Sequence, residues 1–209
     1  MDFSKIKTNA VLAELIGTFG LAGAVLASIN GMIAVPTAVI AGLTLSLFVL
    51  SVGRISGCHI NPAVTIGLWS VKKVNSATAI SYIVAQVTGA LAALAMMEWL
   101  VEGDALTAGG AGAFDWKILL AEAVGMAVFT FGIAGAVHNK LEDINAAWLI
   151  GFSLFLGISF AAVVSNGVLN PAVAAAIDSL SWAYILGPVI GSVIGMNLYQ
   201  YAVAAKGKL

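Results

Sequence analysis

Charge is what this 209-residue chain has least of. Only 9% of its residues are Asp, Glu, Lys or Arg while 61% are hydrophobic, and its mean hydropathy is +1.04. One soluble core of this size cannot hide so much apolar surface, so the expected solvent is the bilayer. With a net charge of −1 and nine thinly spread Lys and Arg residues, no basic patch could neutralise a run of phosphates, which excludes nucleic acid as a partner. A single cysteine, Cys58, excludes an internal disulfide. Neither Cys58 nor the two histidines, His59 and His138, falls in a metal-ligand spacing, so neither redox chemistry nor a metal is expected. No nucleophile, base and orienting group are arranged as a set, which argues against an enzyme. The N-terminus reads Met-Asp-Phe-Ser-Lys-Ile-Lys with no small-residue cleavage site at signal-peptide length, so the apolar segment behind it reads as a retained span.

Long apolar runs are what the chain has instead. Windows of roughly 20 apolar residues, the length a helix needs to cross the hydrocarbon core, occur at 9–29, 34–53, 79–101, 117–137, 145–165 and 182–204. Two further apolar stretches, Ile60 to Trp69 and Leu169 to Ile177, are too short to span, and each begins beside an Asn-Pro-Ala triplet. The expected fold is an all-α membrane protein with six transmembrane helices and two re-entrant half-helices. Pro62 and Pro171 suit the first helical turn, where a missing N–H costs nothing, and Asn61 and Asn170 suit the N-cap. Lys5, Lys7, Arg54, Lys72, Lys73, Lys140, Lys206 and Lys208 fall on one side of the six-span arrangement, with Lys117 opposite. Positive charge stays on the cytoplasmic side, so both termini are expected there. Glu102, Asp104 and Asp115 would face outward, and Trp99, Trp116, Trp148 and Trp182 sit near span ends as interfacial anchors. The expected location is the plasma (inner) membrane.

The chain also repeats itself. Ala13-Glu14-Leu-Ile-Gly17 and Phe19 to Val25 echo Ala121-Glu122-Ala-Val-Gly125 and Phe131 to Val137. Glu14 and Glu122 lie 108 positions apart, and Asn61 and Asn170 lie 109 apart. Three spans per half is an odd number, so the second copy must be inserted upside down, with halves at about 1–101 and 102–209 of one domain. Inverted repeats place a permeation site at the repeat interface near the midplane.

If the two short segments enter from opposite faces, their N-termini meet at the membrane centre. Unsatisfied N–H groups and positive helix-dipole ends would there repel cations and protons. Neutral dipoles pay little in the same field, and the Asn61 and Asn170 amides can donate hydrogen bonds to them. The loops at 56–60 and 165–169 would be non-helical at membrane depth, which is tolerated only inside protein or beside a wet cavity. Carbonyls of Gly57, Cys58, His59, Asn166, Gly167 and Val168 would form a ladder of acceptors for water.

The run Ser56-Gly57-Cys58-His59-Ile60-Asn61-Pro62-Ala63-Val64-Thr65-Ile66-Gly67, with Asn170-Pro171-Ala172, resembles the two signature loops of the aquaporin, or major intrinsic protein, family. The resemblance implies one pore per subunit, four subunits together, passage of water, glycerol or other small neutral solutes, and no cofactor. One departure stands out: the family usually has Arg directly after the second triplet, and here that position is Val173. The other filter positions implied by the resemblance are Gly167, Ile158 and Ala41, where water-selective members commonly place an aromatic residue and a histidine at two of them. A wide filter almost without donors would follow, passing water and also glycerol, urea, ammonia or peroxide. The competing reading is that a bulky loop residue, or Phe48, Phe152 or Phe160, refills the gap.

Glu14 and Glu122 lie in apolar spans, where a carboxylate costs several kcal/mol unless it is partnered. By resemblance they brace the loops that lead into the half-helices; a proton relay is the other functional reading, and interfacial placement is the bland alternative. Cys58 would line the cytoplasmic half of the pore and react with a mercurial, against the alternative of an inert buried thiol. His59 reads as a neutral lining residue and His138 as a solvated one. Gly187, Gly191 and Gly195, and likewise Ser81, Ala85, Gly89 and Ala93, form faces on which membrane helices approach closely. A secondary transporter is the rival class, yet the span interiors hold almost no coupling groups besides the two glutamates.

Overall fold

The computed structural model describes residues 6–101, 106, 110 and 112–204. Lys5, Glu102, Asp104, Lys206 and Lys208, which entered the charge argument above, lie outside the described residues. Eight α-helices are present among the described residues: α1 (Thr8–Ile29), α2 (Thr37–Ser56), α3 (Pro62–Ser70), α4 (Ser76–Leu100), α5 (Trp116–His138), α6 (Asp143–Ala161), α7 (Pro171–Ala176) and α8 (Trp182–Leu198). A π-helical turn, Tyr199–Val203, continues α8. Six of these helices are long and apolar enough to cross a membrane, while α3 and α7 are short. The expected spans are recovered with end shifts of a few residues. The second starts at Thr37, not residue 34, because Pro36 sits in extended geometry and caps the helix. The fifth ends at Ala161, not residue 165, as the chain turns to bring the Ser165 hydroxyl to Glu122, to which it donates.

Glycine decides how the spans pack. α1 runs along α4 and α5 along α8, and small residues line both seams. A Cβ at Gly191 would overlap the Ala123 carbonyl, and one at Gly89 the Leu15 carbonyl; at Gly187 it would lie 2.7 Å from the Leu119 carbonyl. Close backbone approach is how membrane helices gain dispersion energy, since lipid removes the hydrophobic drive between them. Large apolar side chains consequently point outward: Leu47, Val84, Leu120 and Phe152 are all more than half exposed, as a lipid-facing surface requires. Trp99, Trp116, Trp148 and Trp182 are exposed near helix ends.

At one end of the bundle, Arg54 at the close of α2 donates to both carboxylate oxygens of Asp143 at the start of α6, at 2.8 and 2.9 Å. This end also carries Lys72, Lys73 and Lys140, and it is called the basic end below.

Candidate permeation site

Two buried glutamates organise the interior. Both Glu14 and Glu122 are fully buried, so interfacial placement is ruled out. Glu14 accepts from Ser56 Oγ (2.6 Å), His59 N (2.9 Å) and Ile60 N (2.6 Å). Glu122 accepts from Ser165 Oγ (2.8 Å), Val168 N (2.9 Å) and Leu169 N (2.7 Å). Each serine in turn accepts from the backbone two residues on, Cys58 N and Gly167 N, both at 3.0 Å. The loops are thereby held in a conformation they would not adopt alone. Cys58, Ile60 and Leu169 have φ of 51°, 39° and 54°, a region that costs a non-glycine residue roughly 1–3 kcal/mol, most of all a β-branched one such as Ile60. Orphaning each buried N–H would cost a further ~1–3 kcal/mol, so each glutamate offsets a strain of the same order.

With the loops fixed, α3 and α7 meet at their N-termini. Asn61 caps α3 through Ala63 N (2.9 Å), and Asn170 caps α7 through Ala172 N (3.1 Å) and Val173 N (3.4 Å). The two amides also clasp the opposite loops: Asn61 Nδ2 donates to the Leu169 carbonyl and Asn170 Nδ2 to the Ile60 carbonyl, each at 2.9 Å. An amide NH2 has two donors, so one hydrogen on each asparagine is left for the cavity that both line. Pro62 and Pro171 take the first helical position, and Ala63 and Ala172 are buried behind them.

Two cavities lie on either side of this clasp. The first, about 340 Å³, is lined by Ala41, Ile158, Gly167 and Val173, by Asn166 and Val168 from the second loop, and by both asparagines. Leu21, Val25, Leu45, Phe129 and Leu154 complete its mostly apolar wall. The second, about 380 Å³, lies toward the basic end and is lined by Gly57, Cys58, Val64, Lys73 and Tyr82. His59 lines both. All four filter positions named from the resemblance therefore face one space. Phe48, Phe152 and Phe160 do not line it. Phe152 and Phe160 are more than half exposed on the outer surface, and Phe48 packs over Gly20, which corrects the expectation that one of them refills the gap.

Several lining and bracing residues carried no sequence signal. Phe129 and Leu21 look like any apolar span residue. Tyr82 donates to the Ser56 carbonyl (3.0 Å) and the Tyr184 hydroxyl accepts from Asn166 N (2.9 Å), so each loop has a tyrosine brace. Gln86 Nε2 donates to Glu14 (2.7 Å) and to Thr65 Oγ1 (3.0 Å), and Thr65 Oγ1 lies 3.1 Å from His59 Nδ1. The tyrosine spacing, Tyr82 and Tyr184 seven positions before Gly89 and Gly191, was readable once the glycine seams were aligned.

Comparison with known proteins agrees with this geometry. Residues 5–199 match the Major intrinsic protein family. The chain is 33% identical to Aquaporin AqpM of Methanothermobacter thermautotrophicus, over 93% of this chain and 97% of that relative. It is likewise 33% identical to Aquaporin Z of Photorhabdus laumondii, with 93% and 97% covered. The solved structure of the aquaglyceroporin from Plasmodium falciparum superposes with a TM-score of 0.77 at 20% identity, covering 94% of this chain and 97% of that one. The chain belongs to the major intrinsic protein, or aquaporin, family and is an integral membrane channel of six spans.

Proposed function

We propose that the two cavities and the asparagine clasp between them form a passive pore for water and for other small neutral solutes such as glycerol, urea, ammonia or peroxide. The observation that carries this reading is the exchange of amide-to-carbonyl bonds between Asn61 and Leu169 and between Asn170 and Ile60. It holds two helix N-termini tip to tip and leaves one amide hydrogen per asparagine for a permeant. Cations meet the positive helix ends there, and a neutral molecule does not.

Ala41, Ile158, Gly167 and Val173 act as the filter. None of them offers a side-chain donor, so selection at that level rests on width and not on hydrogen bonds. The backbone carbonyls of Gly57, Cys58, His59, Asn166, Gly167 and Val168 replace the bulk hydrogen bonds of water along the two loops. Glu14 and Glu122 are structural: the donors they accept from lie in the two loops and on Gln86. Cys58 faces the cavity of the basic end and is the site of mercurial block. The basic end with Arg54, Lys72, Lys73 and Lys140 faces the cytoplasm, as do both termini, and the membrane is the plasma (inner) membrane. The subunits assemble as a homotetramer, as the family resemblance implies.

Stopped-flow light scattering on proteoliposomes tests the channel reading. Water and solute flux should rise linearly with the gradient, without saturation, and should not respond to an imposed proton or sodium gradient. Saturable, gradient-coupled flux would instead make the protein a transporter.

A further inference from the structure

At the basic end a third cavity, about 240 Å³, opens beside the inner one, and the two share Leu68, Lys73 and Val137. Lys72, Lys73, His138 and Tyr199 line it over an apolar floor that includes Leu68 and Met196. No acidic residue lines it among the described residues. The nearby acids Glu142 and Asp143 are both committed to Arg54, at 3.7 and 2.8 Å.

Nor are the lysines needed to cap the helix ends. The Gly67, Leu68 and Trp69 carbonyls that close α3 already accept from Val71, Lys73 and Lys72 N, at 3.3, 2.9 and 3.0 Å. The last carbonyls of α5 likewise accept from Asn139, Lys140 and Leu141 N. Tyr199, set at the start of the π-helical turn, accepts from Asn139 Nδ2 at 3.4 Å and so keeps its own O–H to donate. The chamber thus brings together two lysines, a histidine and a tyrosine, with no acidic side chain among the described residues that line it. A carboxylate offers two oxygens to such a set; a phosphate group offers three or four and up to two charges, and lysine binds it as a point charge.

We propose that this chamber is a binding site for a phosphate group, supplied either by a free phosphate compound or by the headgroup of an anionic lipid. The chamber shares Lys73 with the inner cavity, but binding is read without any flux measurement, so this proposal and the pore reading fail separately.

The test measures binding isotherms of the detergent-solubilised full-length protein for inorganic phosphate and, separately, for dihexanoyl phosphatidic acid at matched ionic strength. Saturable binding of either is expected, with affinity reduced about tenfold or more in Lys72→Gln/Lys73→Gln, a loss of ~1.4 kcal/mol or more. Both lysines are exposed, so the variant should keep the fold, which an unchanged thermal unfolding midpoint in detergent would verify. Binding of inorganic phosphate assigns a soluble source, and binding of the lipid alone assigns a headgroup. Absence of saturable binding of both, or equal affinity in the variant, overturns the proposal.

Discussion

The loop before α3 and the loop before α7 are built alike and lined differently. Each is held by one buried glutamate, one serine and one tyrosine, and each ends in an asparagine that clasps the other loop. Their lining does not correspond: His59 in the first loop answers to Val168 in the second, Thr65 in α3 to Ala174 in α7, and Gln86 in α4 to Pro188 in α8. The first loop thereby gains a buried chain, Glu14 to Gln86 to Thr65 to His59, for which the second has no counterpart. Bracing must be the same in both halves because the two helix tips have to meet. Wall chemistry is free to diverge, because each cavity is walled mainly by one loop: Gly57 and Cys58 line the inner one, Asn166, Gly167 and Val168 the other, and His59 is shared. Val173 makes the same point from the other side: both triplets are followed by valine, Val64 and Val173, and each lines its own cavity.

The largest effect expected from breaking this symmetry is at the braces. Glu122→Ala removes the acceptor of three donors and Glu14→Ala that of four, the fourth being Gln86. Both should destabilise severely, by about 3–5 kcal/mol, with Glu14→Ala the worse by roughly 1 kcal/mol for the extra bond. Thermal unfolding in detergent, read alongside folded yield, checks the order; equal losses would remove Gln86 from the account. Next come the asparagines. Asn61→Ala and Asn170→Ala each lose a cap worth ~1 kcal/mol and the cross-loop bond, so water flux per folded protein should fall several-fold and by similar factors. A large difference between the two would show that the clasp is not shared equally.

Smaller still is the effect of the one-sided chain. Thr65→Val keeps the shape and removes the hydroxyl beside His59, so stability should drop by about 1 kcal/mol while Ala174→Ser in the other half changes little. Comparison of the two unfolding midpoints tests it. Cys58→Ser should change neither stability nor flux appreciably, yet it should abolish mercurial block; persistent block in the serine variant would take Cys58 out of the inner wall.

Much of this was legible in the sequence for physical reasons. Six spans follow from the length a helix needs in hydrocarbon, and Glu14 and Glu122 stand out because a carboxylate there demands partners. The triplets announce helix starts through the asparagine cap and the proline at the first turn. Phe129 and Leu21 were not legible, since an apolar residue facing a cavity has the same sequence context as one facing lipid. Thr65 and Gln86 were hidden for a different reason: their roles exist only once α3, α4 and α1 converge on one point, and no local pattern encodes that. The fate of Phe48, Phe152 and Phe160 also depended on helix rotation, which a run of apolar residues on every face leaves open.

The proposed pore depends most on a donor-poor filter beyond the asparagines, with Val173 where the family pattern has arginine. It is tested most directly by liposome shrinkage under water, glycerol and urea gradients for the native chain and for Val173→Arg. The account predicts that the native chain passes water and at least one of the two solutes, and that the arginine variant keeps water while solute flux drops tenfold or more. A native chain that rejects both solutes while passing water would contradict it.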